Sequence, residues 1–357
     1  MRLGIIGYGQ LARMLYHAGL PLGVDISFLS LSNVEHMFCP EKNIYTLDRI
    51  KHFIQENDAI SFETENIPWA VLDSLREHSK VYPNINTIKI CQDRYLEKSL
   101  LADLGIKTAK FTLIRDLTDI DTMDDSLVFP CLLKTAKGGY DGNGQHIINN
   151  TKELQWHVKH APIGQHFILE EIINFENEIS IIGVRDKAGR MVFYPITQNL
   201  HCHGILQTTR PVQLSQNTIN TAKSYLEKIC NHFNYVGVIA LELFNSEHGL
   251  IANEIAPRVH NSGHWTIEGT NCSQFESHIR AISSMPLKEI HATQSIMVNI
   301  IGKVPDLYEA MSIPEVHVHL YHKKERENRK LGHITATANL NSNIDFLSNL
   351  CEACKQD

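Results

Sequence analysis

Long apolar runs, positive charge and cysteine are all scarce in this chain of 357 residues. No run reaches the roughly 18 apolar residues a membrane span requires, so no membrane partner is expected. After Met1-Arg2 the apolar stretch is interrupted by Gln10, Arg13 and His17 before a secretory core is complete, which leads us to expect a cytoplasmic protein. Against 40 Asp and Glu stand 33 Lys and Arg, a formal net charge of −7, so no overall field draws the chain onto nucleic acid. The eight cysteines (Cys39, Cys91, Cys131, Cys202, Cys230, Cys272, Cys351 and Cys354) are scattered and are expected as free thiols. Cys351-Glu-Ala-Cys354 has metal-ligand spacing, but without a second C-x-x-C pair it does not predict structural zinc. His201-Cys202-His203 is no better a metal site in a chain with 20 His.

What is present is ordinary globular composition, 43% hydrophobic and 20% charged, in a chain long enough for three domains. Arg2 to Ile6 reads as a buried strand, Gly7-Tyr8-Gly9 as a turn, and Gln10 onward as a helix. With strands at Ile26 to Leu31 and Ala59 to Phe62 and a helix from Pro68, this predicts a Rossmann-like α/β unit over 1–86. Thr87 to Leu104 has helical period and Gly105 stops it. Residues 87–290 then alternate strands (131–134, 146–148, 167–170, 178–184, 236–244, 250–255) with helices near 151–160, 216–232 and 273–284, an α+β pattern. Short strands at 296–301, 316–321 and 333–339 predict a small β domain over 291–357.

The opening G-x-G-x-x-A turn could hold a pyrophosphate, but a dinucleotide site also needs an acidic residue at the end of the second strand, and Ser30-Leu31-Ser32 stands there. A dehydrogenase is therefore disfavoured. The stronger phosphate signal is Lys134 at a strand end followed by Gly138-Gly139-Tyr140-Asp141-Gly142-Asn143-Gly144-Gln145. Glycines let backbone amides approach a polyphosphate while the ammonium balances its charge; a plain hairpin would not need the lysine, Tyr140 and Asp141 together. Glu170 and Glu171 end an apolar strand, and Ile172, Ile173 and Glu178 follow. Two further strands, 240–244 and 250–255, should pair as a hairpin. With its centre at residue 248, Glu242 faces Glu254 at about 5 Å, suiting Mg²⁺ that also binds phosphates. A register slip of one residue would undo that inference. Next come Arg258, His260, Asn261 and the rest of a polar stretch able to hold a small oxyanion. Lys323, Arg326, Arg329 and Lys330 form a basic turn that is either solvated or a phosphate clamp.

In order, these segments resemble the 5-(carboxyamino)imidazole ribonucleotide synthase family of the ATP-grasp superfamily over nearly the whole chain. The hallmarks are Gly7-Tyr-Gly-Gln-Leu-Ala-Arg-Met14, Lys134 with the loop to Gln145, Tyr194-Pro195 through His201, Asn253-Glu254-Ile-Ala-Pro-Arg258 and His260-Asn-Ser-Gly-His-Trp265. The resemblance implies a pre-ATP-grasp domain, an ATP-grasp domain and a small C-terminal β domain, joined as a homodimer. It implies that Arg94, Lys134, Gly139 to Gln145, Glu170 to Ile173, Glu178, His201, Asn253 and Glu254 surround ATP, with Glu242 and Glu254 on Mg²⁺. Arg258, His260 and Asn261 would receive bicarbonate, Tyr140 and Asp141 would meet the aminoimidazole, and Lys323, Arg326, Arg329 and Lys330 would grip the ribonucleotide phosphate. The implied chemistry runs through carboxyphosphate, with Asp141 accepting the amine proton. Asn143, where many relatives have a basic residue, and Tyr8 and Ala12, where glycines are common, depart from the pattern. Another ATP-grasp carboxylase, a formate-using ligase and a non-catalytic nucleotide sensor are the alternative readings.

Overall fold

The computed structural model describes residues 1–34, 36–78, 80–123, 127–139 and 144–337. Its N-terminal unit is a parallel sheet ordered Ile44–Tyr45, Asp25–Leu29, Arg2–Ile6, Ala59–Phe62. These strands read as apolar runs because both faces are covered: Leu3, Ile5, Ile26 and Phe28 join one core, while Ile6, Leu29, Ile60 and Phe62 join another. The helix Gln10–Gly19 starts at the end of the first strand and buries Leu11, Ala12, Met14 and Leu15.

The periodic stretch expected as one helix from Thr87 to Leu104 is instead two, Ile85–Cys91 and Arg94–Asp103. Asp93 breaks it: its carboxylate accepts the amides of Tyr95 and Leu96 at 3.1 and 3.2 Å, an N-cap that starts a new helix. A small antiparallel sheet follows, ordered Phe111–Ile114, Phe167–Glu171, Cys131–Thr135, Gln145–Ile148.

Among the described residues the largest sheet has nine antiparallel strands and runs Gly249–Ala256, Gly237–Ser246, Asn177–Arg185, Thr197–Cys202, Ile205–Pro211, Ser295–Ile301, Lys330–Thr337, Val316–Leu320, with Met191–Phe193 added on Asn177–Arg185. Three of these strands, Met191–Phe193, Thr197–Cys202 and Ile205–Pro211, carry too little apolar alternation to be legible in the sequence. The latter two bury polar groups that pair inside: Asn199 donates to Ser180 at 2.5 Å and accepts from Thr209 at 2.7 Å. The C-terminal strands have their own apolar core, including Val298, Ile300, Leu331 and Ile334, yet they continue the central sheet through Thr208↔Val298 and Thr209↔Met297. That continuity brings the basic turn after Val316–Leu320 over the central sheet. No described helix is long and apolar enough to cross a membrane. The six described cysteines are free thiols; Cys351 and Cys354 lie outside the described residues.

Candidate active site

A cleft of about 790 Å³ opens between the N-terminal unit, the central sheet and the basic turn. Lys134, at the end of its strand, has its ammonium 3.0 Å from Glu170, and Lys98 reaches the same carboxylate oxygen at 3.2 Å. Burial opposes charge on Glu170, but the two lysines outweigh it and hold the carboxylate below its usual pKa. Burial also lowers the Lys134 pKa. Two ammonium groups sharing one carboxylate leave a surplus of positive charge, a good match for a polyphosphate. Lys98 is buried on the helix that Asp93 starts, and the sequence does not single it out because it looks like any helical lysine.

The same helix start aims Arg94 at the cleft. Its guanidinium donates to Glu254 at 2.9 Å and to the Gly139 carbonyl at 2.6 Å. Burial raises the pKa of Glu254, yet Arg94 more than offsets this and holds it low. Across the hairpin, Glu242 does pair with Glu254. The route to that register is unexpected. The turn is two residues, Glu247-His248, with Ser246 opposite Gly249 at φ +93°, so a regular ladder would set Glu242 against Asn253. A bulge between Leu243↔Ala252 and Glu242↔Glu254 leaves Asn253 as the extra residue and restores the carboxylate pair. Glu242 is pushed up to about 7, mainly by burial, with Glu254 and Glu178 adding like-charge repulsion. Two converging carboxylates, one reluctant to ionise, fit a hard divalent cation that takes its other ligands from phosphate and water. Among the described residues no three or more His, Cys, Asp and Glu side chains form a complete metal cage.

Beside this pair, Glu178 and His201 meet at 2.6 Å; burial opposes charge on His201, but the Glu178 contact together with the negative charge of Glu242 outweighs it and raises the His201 pKa. His260 approaches Glu242 at 3.5 Å, and burial, with Arg258 nearby, keeps its imidazole neutral well below its usual pKa. Arg258 donates from Nη2 to Glu65 at 3.0 Å and from Nε to the other oxygen of the same carboxylate. Asn261 and Asn253 also line the cleft, as do Gln145, Lys323, Arg326, Arg329 and Lys330. Lys323 donates to Gln10 at 2.6 Å, tying the basic turn to the N-terminal helix. Glu171 does not line this cleft; its carboxylate accepts the Lys110 amide at 2.8 Å. Ile172 is 44% exposed, and Ile173 is half-buried and likewise off the lining. Gly144 turns at φ +73° against the side chain of Thr135. Tyr140, Asp141, Gly142 and Asn143 lie outside the described residues.

Glu63, Thr64, Glu65 and Asn66, in a loop with no sequence signature, also border the cleft. Glu63 settles the reading of the first glycine turn. Its carboxylate accepts the amides of Gly9 and, at 2.8 Å, Ala12, filling the helix N-terminus where a dinucleotide would put its pyrophosphate. A side chain on Gly7, whose φ is +110°, would collide with Glu63.

The chain matches the models of the ribonucleotide synthetase preATP-grasp domain at residues 1–92, the ATP-grasp domain at 99–275 and the phosphoribosylaminoimidazole carboxylase C-terminal domain at 295–345. It is 38% identical to N5-carboxyaminoimidazole ribonucleotide synthase of Pseudomonas aeruginosa over 94% of each chain. It superposes on the Thermus thermophilus synthetase with a TM-score of 0.87 at 34% identity, covering 98% of both chains. The Aspergillus clavatus synthase solved with ADP and 5-aminoimidazole ribonucleotide gives 0.88 at 26% identity, over 99% of this chain and 98% of that one. With such likeness along nearly its whole length, the chain belongs to the N5-carboxyaminoimidazole ribonucleotide synthase family of ATP-grasp ligases.

Proposed function

We propose that this chain uses ATP and bicarbonate to carboxylate the 5-amino group of aminoimidazole ribonucleotide in purine biosynthesis, releasing ADP and phosphate. The observation that carries this reading is the convergence on one cleft of Lys134, held from behind by buried Glu170 and Lys98, the Glu242–Glu254 pair and the Arg258–His260 corner. Those are an anion cradle, a hard-cation site and an oxyanion corner, the three parts an ATP-dependent carboxylation needs.

In this reading Arg94, Lys134, Gly139 to Gln145, Glu170 to Ile173, Glu178, His201, Asn253 and Glu254 surround ATP. Glu242 and Glu254 would hold Mg²⁺, which supplies charge neutralisation on the transferring phosphoryl group. Arg258, His260 and Asn261 hold bicarbonate, so that its oxygen attacks the γ-phosphate to give carboxyphosphate and ADP. Carboxyphosphate breaks its bond to phosphate to release CO₂ in the closed site; Tyr140 and Asp141 face the aminoimidazole, and Asp141 accepts the proton lost by the exocyclic amine as its nitrogen bonds to that carbon. Lys323, Arg326, Arg329 and Lys330 take the ribonucleotide phosphate. The Arg258–Glu65 and Arg94–Glu254 pairs keep these guanidinium groups in place until anions compete for them. Domains at 1–86, 87–290 and 291–357, a homodimer and a cytoplasmic setting complete the proposal.

The test is ADP release with Mg²⁺-ATP and bicarbonate, with and without aminoimidazole ribonucleotide, for the native chain and Asp141→Asn. We expect ADP only with all substrates present, and loss of that dependence in the variant. If the ribonucleotide changes nothing while ATP still binds, the acceptor is another amine or carboxylate.

A further inference from the structure

Behind the proposed bicarbonate corner lies a buried polar network whose hydrogen-bond polarity is fixed from one end. The backbone carbonyl of Leu206 can only accept, and Asn299 Nδ2 donates to it at 2.8 Å. That orients the Asn299 amide. The same Nδ2 donates to Asn261 Oδ1 at 2.8 Å, and Asn261 Nδ2 returns a bond to Asn299 Oδ1 at 3.1 Å. The second proton of Asn261 Nδ2 points to His264 Nδ1 at 2.9 Å. His264 Nδ1 must then be an acceptor, so the neutral ring carries its proton on Nε2. Tyr321 Oη lies 3.2 Å from the same Nδ1 and 2.6 Å from His333 Nδ1. His264, His333 and Asn299 are all buried. Burial first, and the neighbouring histidines and basic groups after it, keep His264 neutral well below its usual pKa, in agreement with that tautomer.

Both N–H groups of Asn261 are therefore consumed inside the protein, while its carbonyl oxygen has a second lone pair and the residue lines the cleft. We infer that Asn261 offers bicarbonate an oxygen and no N–H, accepting the anion's hydroxyl proton, and that His264 and Asn299 are the positioning residues that impose this polarity. The inference deepens the proposed function and rests on its placement of bicarbonate at Asn261. Bicarbonate has one hydroxyl and two oxygens that share the negative charge. An acceptor can hold only the hydroxyl, which leaves the charged oxygens to Arg258 and the phosphoryl group. The same acceptor selects bicarbonate over carbonate and formate, neither of which has a hydroxyl to donate.

The experiment is the bicarbonate KM, in the ADP-release assay at saturating ATP and ribonucleotide, for Asn261→Ala, His264→Leu and the double variant. Losing the hydroxyl contact should raise this KM about tenfold in each single variant, with the ATP KM unchanged. Because His264 acts through Asn261, the double variant should be no worse than Asn261→Ala. His264→Asn, which can put an oxygen near the Nδ1 position, should recover most of the loss. An unchanged or lower bicarbonate KM in His264→Leu, where an N–H is freed for the anion, would overturn the inference; so would additive effects in the double variant. If His264→Leu does not fold, Asn299→Ala removes the other clamp and carries the same expectation. An unchanged bicarbonate KM in Asn261→Ala would instead take bicarbonate away from Asn261, a failure of the proposed site itself.

Discussion

Two of the glycine turns that follow strands in this chain meet opposite fates. After Ile6 the turn Gly7-Tyr8-Gly9 ends at a helix whose first free amides are taken by Glu63. After Lys134 the turn is flanked by left-handed glycines at Gly138, φ +78°, and Gly144, φ +73°, and the strand end before it carries a buried ammonium shared with Glu170. Glycine spacing opens room for an anion in both. What differs is the sign of the side chain that the fold brings alongside: a carboxylate plugs the first turn, and lysines prepare the second.

The strongest way to break that contrast is Lys134→Met. Removing the ammonium should cut ATP-dependent turnover on the order of a hundredfold or more, read as ADP release, because it takes one of the two lysine charges from the proposed phosphate cradle. Lys98 would still pair with Glu170, so the variant should fold, which circular dichroism checks.

Glu63→Ala tests the other turn. It leaves the part-buried amides of Gly9 and Ala12 without their carboxylate partner, and unfolding should cost about 1–3 kcal/mol less as a result. Protection against heat by Mg²⁺-ATP should remain, since the proposed ATP site lies at the Lys134 turn. NADH fluorescence should show no binding to the native chain. Binding that appears in Glu63→Ala would sharpen the comparison, because it would mean the plug alone excludes dinucleotides.

The smallest expected effect is a pH dependence. Burial first raises Glu242 to about 7 from an ordinary 4.5, so the folded protein favours its neutral form. Its contribution to stability is then full below pH 4.5 and is lost as pH rises through about 7, the interval in which the carboxylate proposed to bind the cation appears. The thermal shift given by Mg²⁺-ADP should therefore grow between about pH 6 and about pH 8, by no more than the free energy of a shift of a few pKa units. Glu242→Gln should flatten the profile and weaken the shift throughout.

Much of the site was legible. Lys134 stands out because a lysine before four glycines is a rare combination, and Glu242 and Glu254 because carboxylates amid Ala, Leu and Ile are costly unless they have a task. The central strands were legible where apolar alternation is strong, as in Asn177–Arg185. Thr197–Cys202 was hidden because Asn199 is buried by pairing with Ser180 and Thr209, partners that sequence cannot assign. The break at Asp93 was missed because helical period continues across it; the capping bonds that start the second helix depend on local geometry.

By itself the sequence determined which residue types would supply charge, where strands and helices would recur and which family the chain resembles, since these depend on local order along the chain. Register and sign of contact were decided only in three dimensions. The bulge at Asn253 turns a mismatched hairpin into a carboxylate pair. Glu63 travels 54 residues to close the first glycine turn, and Asn299 reaches back 38 residues to set the polarity of Asn261. Such pairings are long-range hydrogen bonds in a buried, low-dielectric setting, where a donor left without an acceptor is costly. Which acceptor it finds is a property of the packed structure.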